Sequence, residues 1–127
     1  DLEWERPDLD YRSLVPSVFS THERAQLASL PPQLGRSGFF AGWSRKEAWI
    51  KALGHGLSHA LDSFDVDLDP RREGGLLATR PDPQEAAKWS LRALPELAGY
   101  RAAIAVAGSI STLATWQVDS SALYSLE

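Results

Sequence analysis

Two short stretches of this 127-residue chain gather residue types that could do chemistry on a phosphate. The first is Asp1-Leu2-Glu3. In an extended segment residues i and i+2 face the same way, so both carboxylates project together from Cα atoms about 7 Å apart. Two hard oxygen donors on one face suit Mg²⁺, which takes one or two protein carboxylates and completes its shell with water and substrate phosphates. The second stretch runs from Trp43 to Leu57 and contains Lys46, Glu47 and Lys51. On a helix Glu47 and Lys51 are i,i+4 neighbours, while Lys46 lies about 100° round from Glu47. Each feature also has a plainer reading. Asp-x-Glu can be a solvated acidic pair, and Glu47–Lys51 a surface ion pair worth about 0.3–0.5 kcal/mol. Trp43 and Trp49 can be packing residues, and Gly54-x-Gly56 a helix C-cap with a turn. His22, His55 and His59 read as exposed histidines without a role.

The elements that must hold these residues fall into two textures. Residues 1–62 read as helix and loop, and residues 63–118 as mostly strand. Tyr11–Val15 fits a short helical turn. Ser20-x-x-Glu23 is a capping box that starts a helix over about Thr21–Leu30, which Pro31-Pro32 stops. Phe39, Trp43, Ile50 and Leu53 recur at helical spacing and predict a second helix over 37–53, closed by Gly54. Phe64, Val66 and Leu68 alternate with Asp65 and Asp67, the pattern of a half-buried strand. Strands are also expected at Leu76–Thr79 and Trp89–Leu94. Tyr100–Ala107 reads as a strand buried on both faces, and Leu113–Val118 as one with Ala114, Trp116 and Val118 inward. The expected fold is α+β, two helices against an antiparallel sheet of three to five strands.

Composition narrows the classes. With 43% hydrophobic and 24% charged residues the chain is an ordinary globular domain. The absence of cysteine excludes disulfides, thiolate metal sites and a cysteine nucleophile. No apolar run approaches the ~20 residues of a membrane span, and no leader pattern is present, so the cytoplasm is the expected compartment. A net charge of −4 argues against nucleic acid as a partner. The chain has no methionine and begins at Asp1 in mid-pattern, which reads as a piece of a longer protein.

Together the stretches resemble a known family. Phe40-x-x-Trp43-x-x-Lys46-Glu47-Ala48-x-x-Lys51-x-x-Gly54-x-Gly56-Leu57 is similar to the signature of the phosphopantetheinyl transferase superfamily, Trp-x-x-Lys-Glu-Ala-x-x-Lys followed by Gly-x-Gly-Leu. Asp1-Leu2-Glu3 resembles the end of its other signature. Phe19-Ser20-x-x-Glu23, Leu61–Val66 and Gly99–Val106 resemble further family stretches in the same order. The resemblance is to the larger, surfactin-type members, single chains of two similar lobes with Asp-x-Glu in the second. The smaller holo-acyl-carrier-protein synthases, one lobe per chain and trimeric, lack this spacing.

The resemblance implies that residues 1–127 form one lobe, the C-terminal half, with the N-terminal lobe absent from this chain. It implies transfer of the 4′-phosphopantetheine of coenzyme A to a serine of an apo acyl, peptidyl or polyketide carrier protein, with Mg²⁺ on the pyrophosphate. Asp1, Glu3 and Glu47 would hold the metal, and Glu47 would also accept the serine proton. Lys46 and Lys51 would neutralise phosphate charge, and Gly54 would let the backbone approach the pantetheine arm. The first lobe's basic residues and histidine are missing, so little turnover is expected of this chain alone, unless self-association rebuilds a two-lobe site. The uncovered interlobe face should be apolar, with Tyr100–Ala107 and the tryptophans as candidates. The competing reading is a non-catalytic module that binds carrier proteins or coenzyme A.

Overall fold

The computed structural model describes residues 1–54, 60–95, 97–119 and Ser121. In chain order its elements are β1 (Leu2–Trp4), α1 (Tyr11–Val18), α2 (Thr21–Ser29), α3 (Gly35–Leu53), β2 (Phe64–Val66), β3 (Leu76–Thr79), β4 (Trp89–Ala93) and β5 (Tyr100–Ala107). The fold is α+β. The strands form two antiparallel ladders: a three-stranded sheet in the order β1-β5-β4 and a separate β2-β3 pair. Helix α3 is the central element. On one side its Ala48, Trp49 and Ile50 pack with Phe64, Val66, Leu91 and Ala103. On the other, Phe39 and Phe40 pack with Tyr11, Val18, Phe19 and Leu68. The helix comes so close to this second cluster that a Cβ on Gly42 would stand 2.9 Å from both Leu68 Cβ and the Phe19 ring.

Several sequence expectations are corrected. The expected turn at Tyr11–Val15 is a full helix to Val18 with Pro16 inside it. Pro16 lies on the exposed side, where water can satisfy the carbonyl it leaves unpaired. That makes three α-helices instead of two. The segment Phe64–Leu68 is buried on both faces, because Asp65 and Asp67 are covered as well. Arg80 holds Asp65 at 2.9 and 3.1 Å, and Gln26 donates to Asp67 at 2.7 Å. Strand β5 buries only one face. Ala103 is buried, but Tyr100 and Val106 on the other face are 41% and 36% exposed. Residues 113–118 form no strand, and Trp116 is 83% exposed. The alternation offers a face, but β5 is already flanked by β1 and β4, so that segment has no place beside it.

One buried cluster fixes how α2, α3 and β2 meet. Ser20 and Glu23 form the expected capping box, with the Ser20 N–H donating to Glu23 Oε1 at 2.8 Å and the Glu23 N–H to Ser20 Oγ at 3.3 Å. Glu23 then does more than cap. It is fully buried, accepts from the Val66 N–H at 2.7 Å and receives Lys46 Nζ at 2.7 and 2.9 Å. The Lys46 ammonium, also fully buried, gives its remaining hydrogen bond to the Phe64 carbonyl at 2.9 Å. Every donor of the ammonium is used, which is the condition for an ion pair to survive removal from water.

Removing one partner of that pair strands a buried charge, which typically costs about 3–5 kcal/mol. Lys46→Met should lose that much in denaturant unfolding, and Lys46→Met with Glu23→Leu should recover part of it. A Lys46→Met loss below about 1 kcal/mol would show that the pair is not a structural anchor. A second prediction concerns acid. Hydrogen bonds from Arg71 hold the Asp69 carboxyl down at about 2, from an ordinary 3.8. A depressed carboxyl stabilises the fold above its ordinary value and loses that stabilisation as pH falls through its folded value. Asp69→Asn should therefore flatten the loss of stability between pH 3.8 and about 2 in acid titrations followed by circular dichroism.

Candidate active site

Strand β1 is only three residues long, yet its face is fixed. It pairs antiparallel with β5 through Leu2↔Ala102, Glu3↔Arg101 and Trp4↔Tyr100. The pairing extends one residue further: the Asp1 nitrogen donates to the Ala103 carbonyl at 2.7 Å, and the Ala103 N–H to the Asp1 carbonyl at 2.9 Å. Arg101 bonds Glu5, locking the far end of the strand. With that register Asp1 and Glu3 share one face, while Leu2 and Trp4 on the other are 56% and 53% exposed.

The carboxylates meet α3 at Glu47 and Lys51. Asp1 has a side chain only 1% exposed, and its Oδ1 accepts a short hydrogen bond from Lys51 Nζ. Two buried carboxylate oxygens beside it, Asp1 Oδ2 and Glu47 Oε1, have no hydrogen-bond partner among the described residues. The Glu3 carboxyl is pushed up from its ordinary 4.5, first by burial and then by the Glu47 carboxylate. Lys51 and a hydrogen bond from Trp43 pull it back. These mutual effects put Asp1, Glu3, Glu47 and Lys51 in one electrostatic patch between β1 and the C-terminal half of α3. Carboxylate oxygens that are hard donors, shielded and unpaired have the chemistry that suits a cation such as Mg²⁺. Among the described residues no three such side chains are gathered in metal-holding geometry. The Lys51 ammonium sits on Asp1 instead.

Other expected site residues fall differently. Lys46 lies apart from the patch: its ammonium is buried against Glu23 and the Phe64 carbonyl. Gly54 caps α3 one turn beyond Lys51 with φ +75°, a left-handed conformation that favours glycine. A Cβ there would meet nothing within 4 Å, so within this chain the backbone angle and not crowding calls for glycine. His55, Gly56, Leu57 and His59 lie outside the described residues, and His22 is exposed. Sequence reasoning missed the Trp43 contact to Glu3 and the second role of Glu23. Trp43 lies one helical turn before Glu47, a spacing that could have signalled a shared face.

Comparison with known proteins gives the family. The family model of the 4′-phosphopantetheinyl transferase superfamily matches residues 1–105. Among curated proteins, the 4′-phosphopantetheinyl transferase HetI of Nostoc sp. is 37% identical over 108 residues, covering 85% of this chain and 42% of that protein. The 4′-phosphopantetheinyl transferase psf-1 of Bacillus pumilus is 40% identical over 87 residues, 68% of this chain and 35% of its own length. The 4′-phosphopantetheinyl transferase of Bacillus subtilis is 39% identical over 67 residues, 53% of this chain and 29% of its own. The chain thus spans less than half the length of these relatives. No solved structure matches it. A family match that takes in β1, all three helices and most of β5 leaves one conclusion: the chain belongs to the 4′-phosphopantetheinyl transferase superfamily.

Proposed function

We propose that this chain is the C-terminal, catalytic-carboxylate lobe of a two-lobe, surfactin-type enzyme that moves 4′-phosphopantetheine from coenzyme A to a serine of an apo carrier protein. The observation that carries the reading is the patch of Asp1, Glu3, Glu47 and Lys51, with two buried carboxylate oxygens lacking partners. Asp1, Glu3 and Glu47 would hold Mg²⁺. Bound there, the ion would offset charge on the pyrophosphate of coenzyme A. In the reaction the serine oxygen forms a bond to the β-phosphorus, and the bond from that phosphorus to 3′,5′-adenosine diphosphate breaks. Glu47 takes the serine proton, for which its unpaired Oε1 is available. Lys51, whose side chain is 62% exposed, offsets charge on the departing phosphate. With Lys46 buried, that task falls to Lys51 alone of the two.

Two surfaces fit the partners of such an enzyme. An apolar groove of about 400 Å³ runs from Glu3 past Leu9, Leu14, Val18, Phe40 and Trp43. Its position beside the carboxylates suits the carrier residues that flank the acceptor serine. The outer sheet face carries Leu2, Trp4, Tyr100 and Val106, all exposed, and suits the second lobe or another copy of this one. No helix among the described residues is long and apolar enough to cross a membrane, and the reading places the work in the cytoplasm with coenzyme A and carrier proteins. The Lys51–Asp1 contact favours one alternative, a non-catalytic module that binds carrier protein or coenzyme A with its carboxylates already neutralised.

The test is transfer to an apo carrier protein, read as the mass gain of one phosphopantetheine, by the chain joined to the rest of the enzyme. Glu47→Ala should lower the rate by about 10²–10⁴, the usual contribution of a general base. An unchanged rate would remove Glu47 from the chemistry. Glu3→Gln makes a paired prediction. The Glu3 carboxyl is raised by burial and by Glu47, so its ionised form weakens the fold near neutral pH. Glu3→Gln should raise stability near neutral pH while losing activity, a trade typical of sites strained for function. A variant that is both less stable and active would contradict the assignment.

A further inference from the structure

A second groove, of about 340 Å³, opens between α1, α2 and the start of α3. It shares no lining residue with the groove beside the carboxylates. Helix α1 gives Leu14 and Val18 to that one and Tyr11, Arg12 and Val15 to this one. The walls here are apolar, formed by Val15, Leu27, Leu30 and the Pro31-Pro32 turn. The charged residues that line it are Arg12 and Arg24, both exposed, and no carboxylate does.

These two cations are not spent within the chain. Among the described residues neither Arg12 nor Arg24 has a carboxylate at ion-pair distance. Arg12 lies over the Tyr11 ring, 5.2 Å from its centroid. Arg24 donates to two neutral acceptors, the Ser20 carbonyl and Thr21 Oγ1, both at a long 3.4 Å. Glu23, next to Arg24 in sequence, is committed to Lys46, and Asp8 lies with Arg6. Two further features favour negative charge here. The N-terminal end of α3 opens at Gly35 with no side-chain cap and no acidic residue in its first turn, so the partial positive charge of the helix end is not offset there. The Tyr11 hydroxyl reaches Gly35, where a Cβ would collide with it, and it makes no hydrogen bond among the described residues.

We propose that this groove docks an acidic peptide segment of a protein partner, an apolar side chain between its walls and carboxylates on Arg12 and Arg24. The apolar walls give a bare inorganic anion nothing to bury, while the guanidiniums at the rim select acidic side chains. The chain's net charge is −4, so an acidic partner is repelled by most of the surface and steered to this positive groove. The proposal uses none of the residues assigned to phosphopantetheine transfer, so either can fail without the other.

The experiment titrates the chain with a short, end-blocked peptide of alternating glutamate and leucine. Backbone amides and arginine Nε–H groups are followed by NMR. Saturable shifts are expected at residues 11–15, 24–30 and 35. Arg12→Gln and Arg24→Gln, both at exposed positions, should each weaken binding about tenfold, the effect of losing one charge-assisted hydrogen bond. Lys88→Gln, which removes an exposed cation elsewhere, should leave it unchanged. The same peptide with glutamine in place of glutamate should bind more weakly, and equal affinity would overturn the proposal. So would shifts that centre on Trp4, Leu14 and Trp43, or a Lys88→Gln loss as large as that of the arginine variants. Both arginine variants binding like the parent chain, with the fold intact by circular dichroism, would overturn the role of the cations. Inorganic phosphate binding as tightly as the peptide would make this an anion site instead, and the same shifts on concentrating the chain alone would make the occupant a second copy. Either result would overturn the peptide assignment.

Discussion

The buried ion pair of Glu23 and Lys46 is the constraint on which the rest of this structure depends. It joins the first turn of α2, the middle of α3 and the β2 backbone in one fully hydrogen-bonded knot. Burying two charges is favourable only when the partners and their remaining bonds are complete, and here they are. The knot fixes the rotation of α3. With Lys46 turned inward, Glu47 and Lys51 are carried round to the side where β1 runs, because neighbouring helix positions are about 100° apart. The buried lysine of the motif thus helps to aim the residues next to it.

The strand that meets this helix face is short and at a sheet edge, which would ordinarily leave it loosely held. Pairing along β5 and the Arg101–Glu5 contact hold it in register. A slip of one residue would turn Asp1 and Glu3 to the opposite face and bring Leu2 and Trp4 against α3. The carboxylate patch is therefore a product of two independent restraints, helix rotation on one side and strand register on the other. The repulsion between Glu3 and Glu47 is tolerated because both restraints are backbone-deep.

Much of this was readable from residue order. The capping box at Ser20, the glycine that ends α3 and the apolar periodicity of that helix are local signals, and the elements follow them. So do the same-face geometry of Asp1 and Glu3 and the proximity of Glu47 to Lys51 along one helix face. What failed depends on partners far along the chain. Whether Lys46 or Glu47 faces inward is decided by Glu23, 23 residues before Lys46. The burial of Asp65 is decided by Arg80, and the exposure of Tyr100 and Trp116 by how many sheet faces the fold offers for covering. Alternation marks a possible strand but carries no information on whether a neighbour is free to pair with it.

The central claim is that the carboxylates of β1 and α3 make a site where Mg²⁺ and coenzyme A bind together. The most direct measurement is calorimetric binding of coenzyme A, with Mg²⁺ present and with a chelator, to this chain joined to the remainder of its enzyme. The account predicts binding that depends on Mg²⁺ and is lost when Asp1 and Glu47 are replaced by asparagine and glutamine. Coenzyme A binding of equal strength with the chelator, or unaffected by those replacements, would contradict it.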